Sequence, residues 1–450
     1  MRRITALDWR NAGTHTGGIV IQGPRVLDPR AGIDEERDVV VRSGQVAELA
    51  PARTAELPDA ETIEADGLCV TPAFFDPHVH LRTPGREDEE DLETGTRAAA
   101  AGGYCGLVAM ANTEPPVDTA EAIEALRERA GREGAVPVGF LACATRGMRG
   151  EELTDMVELG EVGALGFSDD GLPIRNARVL RRALQYQRIA GGVLALHEED
   201  PELSGDGVMH EGEVSAALGL SGIPAVSEST MIARDCALAG YEGGGIHVQH
   251  LSARESVAAI AAAKEAGVTV SCEATPHHLA LTDEEVRSLD SVFKMNPPLR
   301  SEGDRQALVD ALRSGVVDCI ATDHAPHSLD EKEVPFEAAA MGVTGLETAF
   351  AAVHTALVVP GVLELATLVE RMTAGALCFG LEPPRIVPGA DANLALVDLD
   401  AEWVPGAEGW ESRSQNCAFA GRKLRGRVMA TVVGGRVVYR NRAFALGVAA

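Results

Sequence analysis

Lysine is scarce in this 450-residue chain and stands only at positions 264, 294, 332 and 423. Basic residues as a whole are outnumbered, 40 against 68 acidic, for a net charge of −28. That balance argues against nucleic acid or an anionic membrane as a partner, since both require a basic face. No apolar run approaches the roughly 18–20 residues of a membrane span. The opening MRRITALDWRN carries charge but no apolar core, so no secretory signal is expected. CxxC pairs are absent. The eight cysteines, at 69, 105, 143, 236, 272, 319, 378 and 417, mostly sit in apolar runs such as GLCVTPAFF and VDCIATD. Reduced, buried thiols and a cytoplasmic location are the expectation, not a disulfide framework. Low-complexity tracts and short tandem repeats are missing too. With 45% hydrophobic and 24% charged residues, the composition is that of a globular protein rather than a disordered one.

What the chain does have is an alternation. Short apolar runs (LCVTPAFFD, YCGLVAMA, VPVGFLACA, GALGFSD, GVLALHE, GIHVQHLS, VTVSCEATP, VDCIATD) are separated by stretches rich in Ala, Glu and Arg, such as TAEAIEALRERA and NARVLRRALQYQRIA. Apolar spacing of three and four in the latter indicates helices, several ending on glycine. Near-continuous apolar strands between helices indicate a parallel sheet covered on both faces. Eight such units predict an α/β fold, a (β/α)8 TIM-like barrel over residues 68–384. The flanks, residues 17–67 and 385–450, read instead as short strands and turns. GG and SG pairs between Val-rich runs there suggest hairpins. Both flanks are expected to join in one small β-sandwich domain, with residues 1–16 as a loose N-terminal extension.

Polar residues fall where the expected barrel strands end, the position at which barrel enzymes place their sites. Strand 1 ends in Asp76-Pro77-His78-Val79-His80 and strand 4 in Ser168-Asp169-Asp170-Gly171. Strand 5 ends at His197, strand 6 at His250 and strand 8 at Asp323 in the run TDHAPH. Two histidines one residue apart on a strand share a face and can chelate one ion. An HxH pair alone is a weak signal; the long apolar strand before it and LRTPG after it strengthen it. His197 taken singly could be a core histidine. Spacing does not choose between His250 and His247, or between Asp169 and Asp170. Asp323 could be a helix cap, but DHAPH packs a carboxylate and two imidazoles into five residues. Four histidines and two aspartates from five strand ends can bind two divalent cations, and mixed N/O ligation suits zinc.

In order along the chain occur DPHVHLRTPG, GGYCGLVAMANTEPP, FSDDG, HEED, HVQHLS, EATPHHL, KMNPPLRS and ATDHAPH. Together they resemble the dihydroorotases of the amidohydrolase superfamily, in particular the class I bacterial type, over residues 18–440. The resemblance implies that His78 and His80 bind a first metal and His197 and His250 a second. It implies that Asp170 bridges both, and that Asp323 binds the first metal and acts as the catalytic acid/base. It further implies substrate contacts from His80, Arg82, Asn112, Asn296 and His327, with backbone groups of Met341 and Gly342. His277 and His278 are expected to be structural. The implied reaction interconverts dihydroorotate and N-carbamoyl-L-aspartate.

Superfamily relatives such as hydantoinases bridge their metals with a carbamylated lysine on strand 4. None of the four lysines here can reach that point, so a carboxylate must serve. This weighs against an allantoinase- or hydantoinase-like activity. A non-catalytic subunit scaffolding aspartate transcarbamoylase is the other rival, but such relatives lose metal ligands, and all six candidate donors are present. EAAAMG stands where class I relatives usually carry an aromatic before the glycine, so altered packing at Met341 is expected. A homodimer and an association with aspartate transcarbamoylase are both compatible with the apolar helix faces. Residues 328–343 are the candidate closing loop.

Overall fold

A computed structural model describes residues 17–445; the expected extension over residues 1–16 lies outside the described residues. Eight strands form the barrel: β1 (Phe74–Val79), β2 (Tyr104–Ala109), β3 (Val138–Ala142), β4 (Gly166–Phe167), β5 (Val193–Leu196), β6 (Ile246–Val248), β7 (Val270–Ala274) and β8 (Cys319–Ile320). Each pairs in parallel with the next. The ring closes where Val79 bridges His324 and the His80 N–H donates to the His324 carbonyl at 2.8 Å. Buried Asp76 of β1 reinforces this seam, accepting from the Thr322 N–H at 3.2 Å and its hydroxyl at 2.6 Å.

The strands are apolar because both their faces are covered. Every residue of β1 and β2 is buried. Truncating one of them, Leu107→Ala for example, should cost about 2–5 kcal/mol. Around the strands run α1 (Leu92–Ala101), α2 (Ala120–Glu133), α3 (Met156–Glu161), α4 (Ala177–Ala190), α5 (Val226–Glu242), α6 (Arg254–Glu265), α7 (Glu302–Ser314) and α8 (Leu365–Thr373). Their ends follow from local chemistry. Asp91 caps α1 by accepting the Thr94 N–H at 2.8 Å, and Ser301 caps α7 through the Asp304 N–H. In α4 the buried Val179, Leu180, Ala183, Leu184 and Gln187 repeat at three and four, which turns one stripe onto the sheet.

The two flanks meet in a second sheet. Six strands precede the barrel and three follow it, in one hydrogen-bonded arrangement. The join is antiparallel pairing of Cys69–Pro72 with Leu394–Val397. Ile19, Ile21, Val39, Val41, Leu396 and Val432 share its core. The expected hairpins form with two-residue loops. Ser43 and Gly44 (φ 51° and 82°) link Ile33–Arg42 to Gln45–Pro51; Gly434 and Gly435 (φ 55° and 78°) link Leu424–Val433 to Arg436–Arg440. Positive φ at both positions matches the right-handed twist of the strands. One expectation needs correcting. The run LCVTPAFFD does not form a single barrel strand. Cys69–Pro72 belongs to the terminal sheet and Phe74–Val79 to the barrel. Pro72, which has no N–H to give to a ladder, closes the first strand where the chain changes sheets.

Candidate metal centre

The strand ends bring the expected donors together. His78 lies within β1 and His80 just past it, and His197 directly follows β5. Asp170, His250 and Asp323 follow β4, β6 and β8 within three residues. All six side chains are buried. Around Asp170 the spacings are 3.5 Å from Oδ2 to His80 Nε2 and 3.7 Å to His78 Nε2. Its Oδ1 lies 3.7 Å from both His197 Nδ1 and His250 Nε2. Asp323 Oδ1 stands 3.1 Å from His80 Nε2 and 3.5 Å from His78 Nε2.

Most of these separations exceed a good hydrogen bond, about 2.7–3.2 Å. Donors about 2 Å from a common tetrahedral ion lie roughly 3.3 Å apart, which is the spacing seen. Two overlapping groups, His78–His80–Asp323 and His78–Asp170–His250, have the compactness to hold a metal ion. His197 falls outside both, with its Nδ1 2.9 Å from His250 Nε2. Asp170 Oδ1 is buried without a hydrogen-bond partner, as an oxygen that faces a cation would be. The residues present therefore fit divalent ions.

The electrostatics agree. Burial alone would raise the carboxyls of Asp170 and Asp323. The charge on His78, with His250 beside the first and His80 beside the second, holds both well below the usual carboxylate range. Burial disfavours charge on His78, yet Glu273, Asp170 and Asp323 overcome it and raise its proton affinity. The cavity demands positive charge, which protons or metal ions can supply. Arg82, His250 and Asp323 adopt left-handed backbone conformations, with φ of 54°, 32° and 48°. Such conformations cost on the order of 1–3 kcal/mol each and cluster at functional sites.

The competing donors point elsewhere. The Asp169 carboxylate accepts the N–H groups of Ala144 and Thr145 at 2.8 and 3.0 Å, and the Thr145 hydroxyl. His247 bonds Ser271 Oγ at 2.8 Å and Glu273 Oε2 at 2.9 Å. His278 bonds Thr275 Oγ1 and the Pro297 carbonyl, while His277 Nε2 is buried without a partner. None of the four lysines enters the imidazole cluster. Lys264 pairs with Asp318 at 2.6 Å, Lys423 pairs with Glu402, and Lys294 and Lys332 donate to carbonyls.

The residues expected to touch substrate line the same mouth, several of them engaged. Asn112 accepts from His80 Nδ1 at 2.9 Å and donates to the Asp170 carboxylate at 3.2 Å, so its amide spans two of the donors. Asn296 donates to Glu199 at 2.6 Å. Arg82 donates to the Pro326 carbonyl at 3.0 Å and lies 3.1 Å from Glu89. His327 bonds Glu331 at 2.8 Å and the Met341 carbonyl at 3.1 Å. The Gly342 N–H is given to the Lys294 carbonyl at 3.0 Å. At φ 150°, a Cβ on Gly342 would lie 2.8 Å from Ala325 Cβ and 2.9 Å from His327 Nε2, so only glycine fits. The candidate closing loop is pinned from within. Buried Lys332 donates to the carbonyls of Lys294, Ala340 and Gly342 at 3.1, 2.9 and 3.0 Å.

Sequence reasoning missed Glu273, Glu89 and Glu199. The signal for Glu273 was available: a charged residue inside the apolar strand VSCEA is buried only when paired.

Residues 67–256 match the family described as dihydro-orotase-like. A dihydroorotase of Anaeromyxobacter dehalogenans is 47% identical over 424 residues, spanning 94% of this chain and 98% of the relative. One from Pelotomaculum thermopropionicum is 46% identical over 426 residues, spanning 94% and 99%. Among solved structures, the L-hydantoinase of Arthrobacter aurescens superposes with a TM-score of 0.83 at 26% identity, over 94% of this chain and 96% of that one. The dihydropyrimidinase of Brevibacillus agri gives 0.81 at 23% identity, over 94% and 95%, a likeness of fold alone.

Proposed function

The chain belongs to the dihydroorotase family, and we propose that it interconverts (S)-dihydroorotate and N-carbamoyl-L-aspartate in de novo pyrimidine (UMP) biosynthesis. The observation that carries this reading is the gathering of four imidazoles around the Asp170 carboxylate, with Asp323 beside them. Two divalent cations suit this donor set, and its mixture of nitrogen and oxygen favours zinc. His78, His80 and Asp323 would hold one, His197 and His250 would hold the other, and Asp170 would contribute to both. When bound, such ions polarise a carbonyl and lower the pKa of water toward about 7.

Asp323, kept ionised by its histidine neighbours, is the proton carrier. In ring opening it takes a proton from the attacking water and delivers it to the ring nitrogen as the C–N bond breaks. In ring closure it takes the carbamoyl nitrogen proton and gives it to the departing hydroxyl. Arg82 offers a planar fork for the substrate carboxylate. Asn112, Asn296, His327, His80 and the backbone of Met341 and Gly342 complete the pocket, with Asn112 also orienting His80.

A hydantoinase- or allantoinase-like reading is favoured by the fold but opposed by the missing strand-4 lysine. A non-catalytic scaffold is opposed by the complete donor set. Turnover of dihydroorotate, hydantoin and allantoin by protein of known metal content separates the three. Preferential opening of dihydroorotate supports the proposal. A preference for either other ring, or full metal content without turnover, refutes it. The same reading places the enzyme in the cytoplasm, as a homodimer or with aspartate transcarbamoylase; sedimentation with and without that partner distinguishes these assemblies.

A further inference from the structure

Glu273 lies in β7 with its side chain fully buried. One carboxylate oxygen, Oε1, accepts from His78 Nδ1 at 2.6 Å and from the backbone N–H of His250 at 3.2 Å. The other, Oε2, accepts from His247 Nε2 at 2.9 Å. Three donors from two strands of the barrel therefore converge on one carboxylate. His247 is fixed in turn by Ser271, two residues before Glu273 on the same strand. Glu273 thus touches one candidate ligand by its ring and another by its main chain.

We propose that Glu273 is a positioning residue for the metal centre, a role that rests on His78 and His250 being ligands. By accepting the Nδ1 proton of His78, the carboxylate fixes the tautomer whose Nε2 lone pair faces Asp170 and Asp323. Its negative charge makes that imidazole a stronger donor. Through the His250 N–H it also holds a backbone turn at φ 32°, which aims the His250 ring at Asp170. His247 anchors the carboxylate from behind, which gives the histidine that loses the contest with His250 a purpose.

Glu273→Gln is the direct test. The amide keeps the shape but offers one acceptor oxygen and an NH2 group against three N–H donors. Unless His247 reverses its tautomer to accept from that NH2 group, one of them is left unpaired or His78 turns to the tautomer with its proton on Nε2; in every case the negative charge beside His78 is lost. Metal affinity, by competition with a chromophoric chelator, should fall about 10–100-fold. kcat at sub-saturating zinc should fall with it, while KM for dihydroorotate and the melting curve of the metal-free protein stay near wild type. Wild-type zinc affinity and kcat would overturn the proposal. Glu273→Asp keeps the charge but withdraws the oxygens by one methylene, so it should remain impaired; full recovery would show that position does not matter. Should neither variant fold, the wild type carries the test. With 15N-labelled histidine and bound zinc, His78 should show its proton on Nδ1, and a proton on Nε2 would overturn the role. His78→Ala separates this proposal from the one beneath it. Unchanged zinc content in that variant refutes the ligand reading itself. Loss of zinc there, beside an unaffected Glu273→Gln, refutes only the positioning role.

Discussion

Asp323→Asn is the sharpest test of the chemistry, because the structure predicts that it changes little else. Asp323 sits at φ 48°, a left-handed conformation that asparagine enters readily and most residues do not. The amide keeps the shape of the carboxylate, with His80 Nε2 still 3.1 Å away. Size and backbone are therefore preserved, and what disappears is the ability to take up and release a proton. In the native protein, burial would favour the protonated acid, but His78 and His80 hold the group ionised at neutral pH, ready to accept. General acid–base catalysis by one positioned group is worth about 10²–10⁴-fold, or about 2.7–5.4 kcal/mol of barrier. Loss of an anionic metal ligand adds to this. Turnover should therefore fall at least 100-fold in both directions, read as the change in ultraviolet absorbance when the ring opens or closes. The assay needs saturating zinc and a parallel metal analysis, so that lost chemistry is not mistaken for lost metal. A variant keeping more than a tenth of wild-type kcat would refute the proton-carrier role.

Arg82→Met should raise KM for dihydroorotate far more than it lowers kcat, and an unchanged specificity constant would remove its carboxylate role. Chelation should abolish turnover and lower the melting temperature, with zinc restoring both; activity persisting in protein shown to be metal-free would exclude the metal reading. Glu347 gives a pH signature away from the site. Half-buried beneath the N–H groups of Glu411 and Ser412, both at 3.1 Å, it is pushed up from 4.5 to about 7 by desolvation, with repulsion from Glu411 and Glu90 adding to it. The folded chain then holds a proton that the unfolded chain releases, so this contribution to stability, full below pH 4.5, is lost as pH rises to about 7. Glu347→Gln should lose less melting temperature than wild type between pH 5 and 7, and parallel profiles would contradict that sign.

Local pattern was enough to read the alternation of strands and helices, the two glycine-bearing hairpins and the clustering of polar residues at strand ends. Each of these is a property of a few neighbouring residues: a period of two or 3.6, a turn needing positive φ, an apolar run stopped by donors. The HxH pair was legible for the same reason, since both rings must leave one face of a strand. Tertiary structure alone decided which member of each ambiguous pair faces the cavity. Asp169 and Asp170 are adjacent, yet the first is consumed by the Ala144–Thr145 turn and the second meets four imidazoles. His247 and His250 differ by three residues, and only the path of the chain beyond β6 turns one toward Asp170 and the other toward Glu273. Glu273 itself meets His78 across 195 residues of sequence. No local pattern encodes such a contact, because ring closure of the barrel, rather than any neighbouring residue, sets the distance between the two side chains.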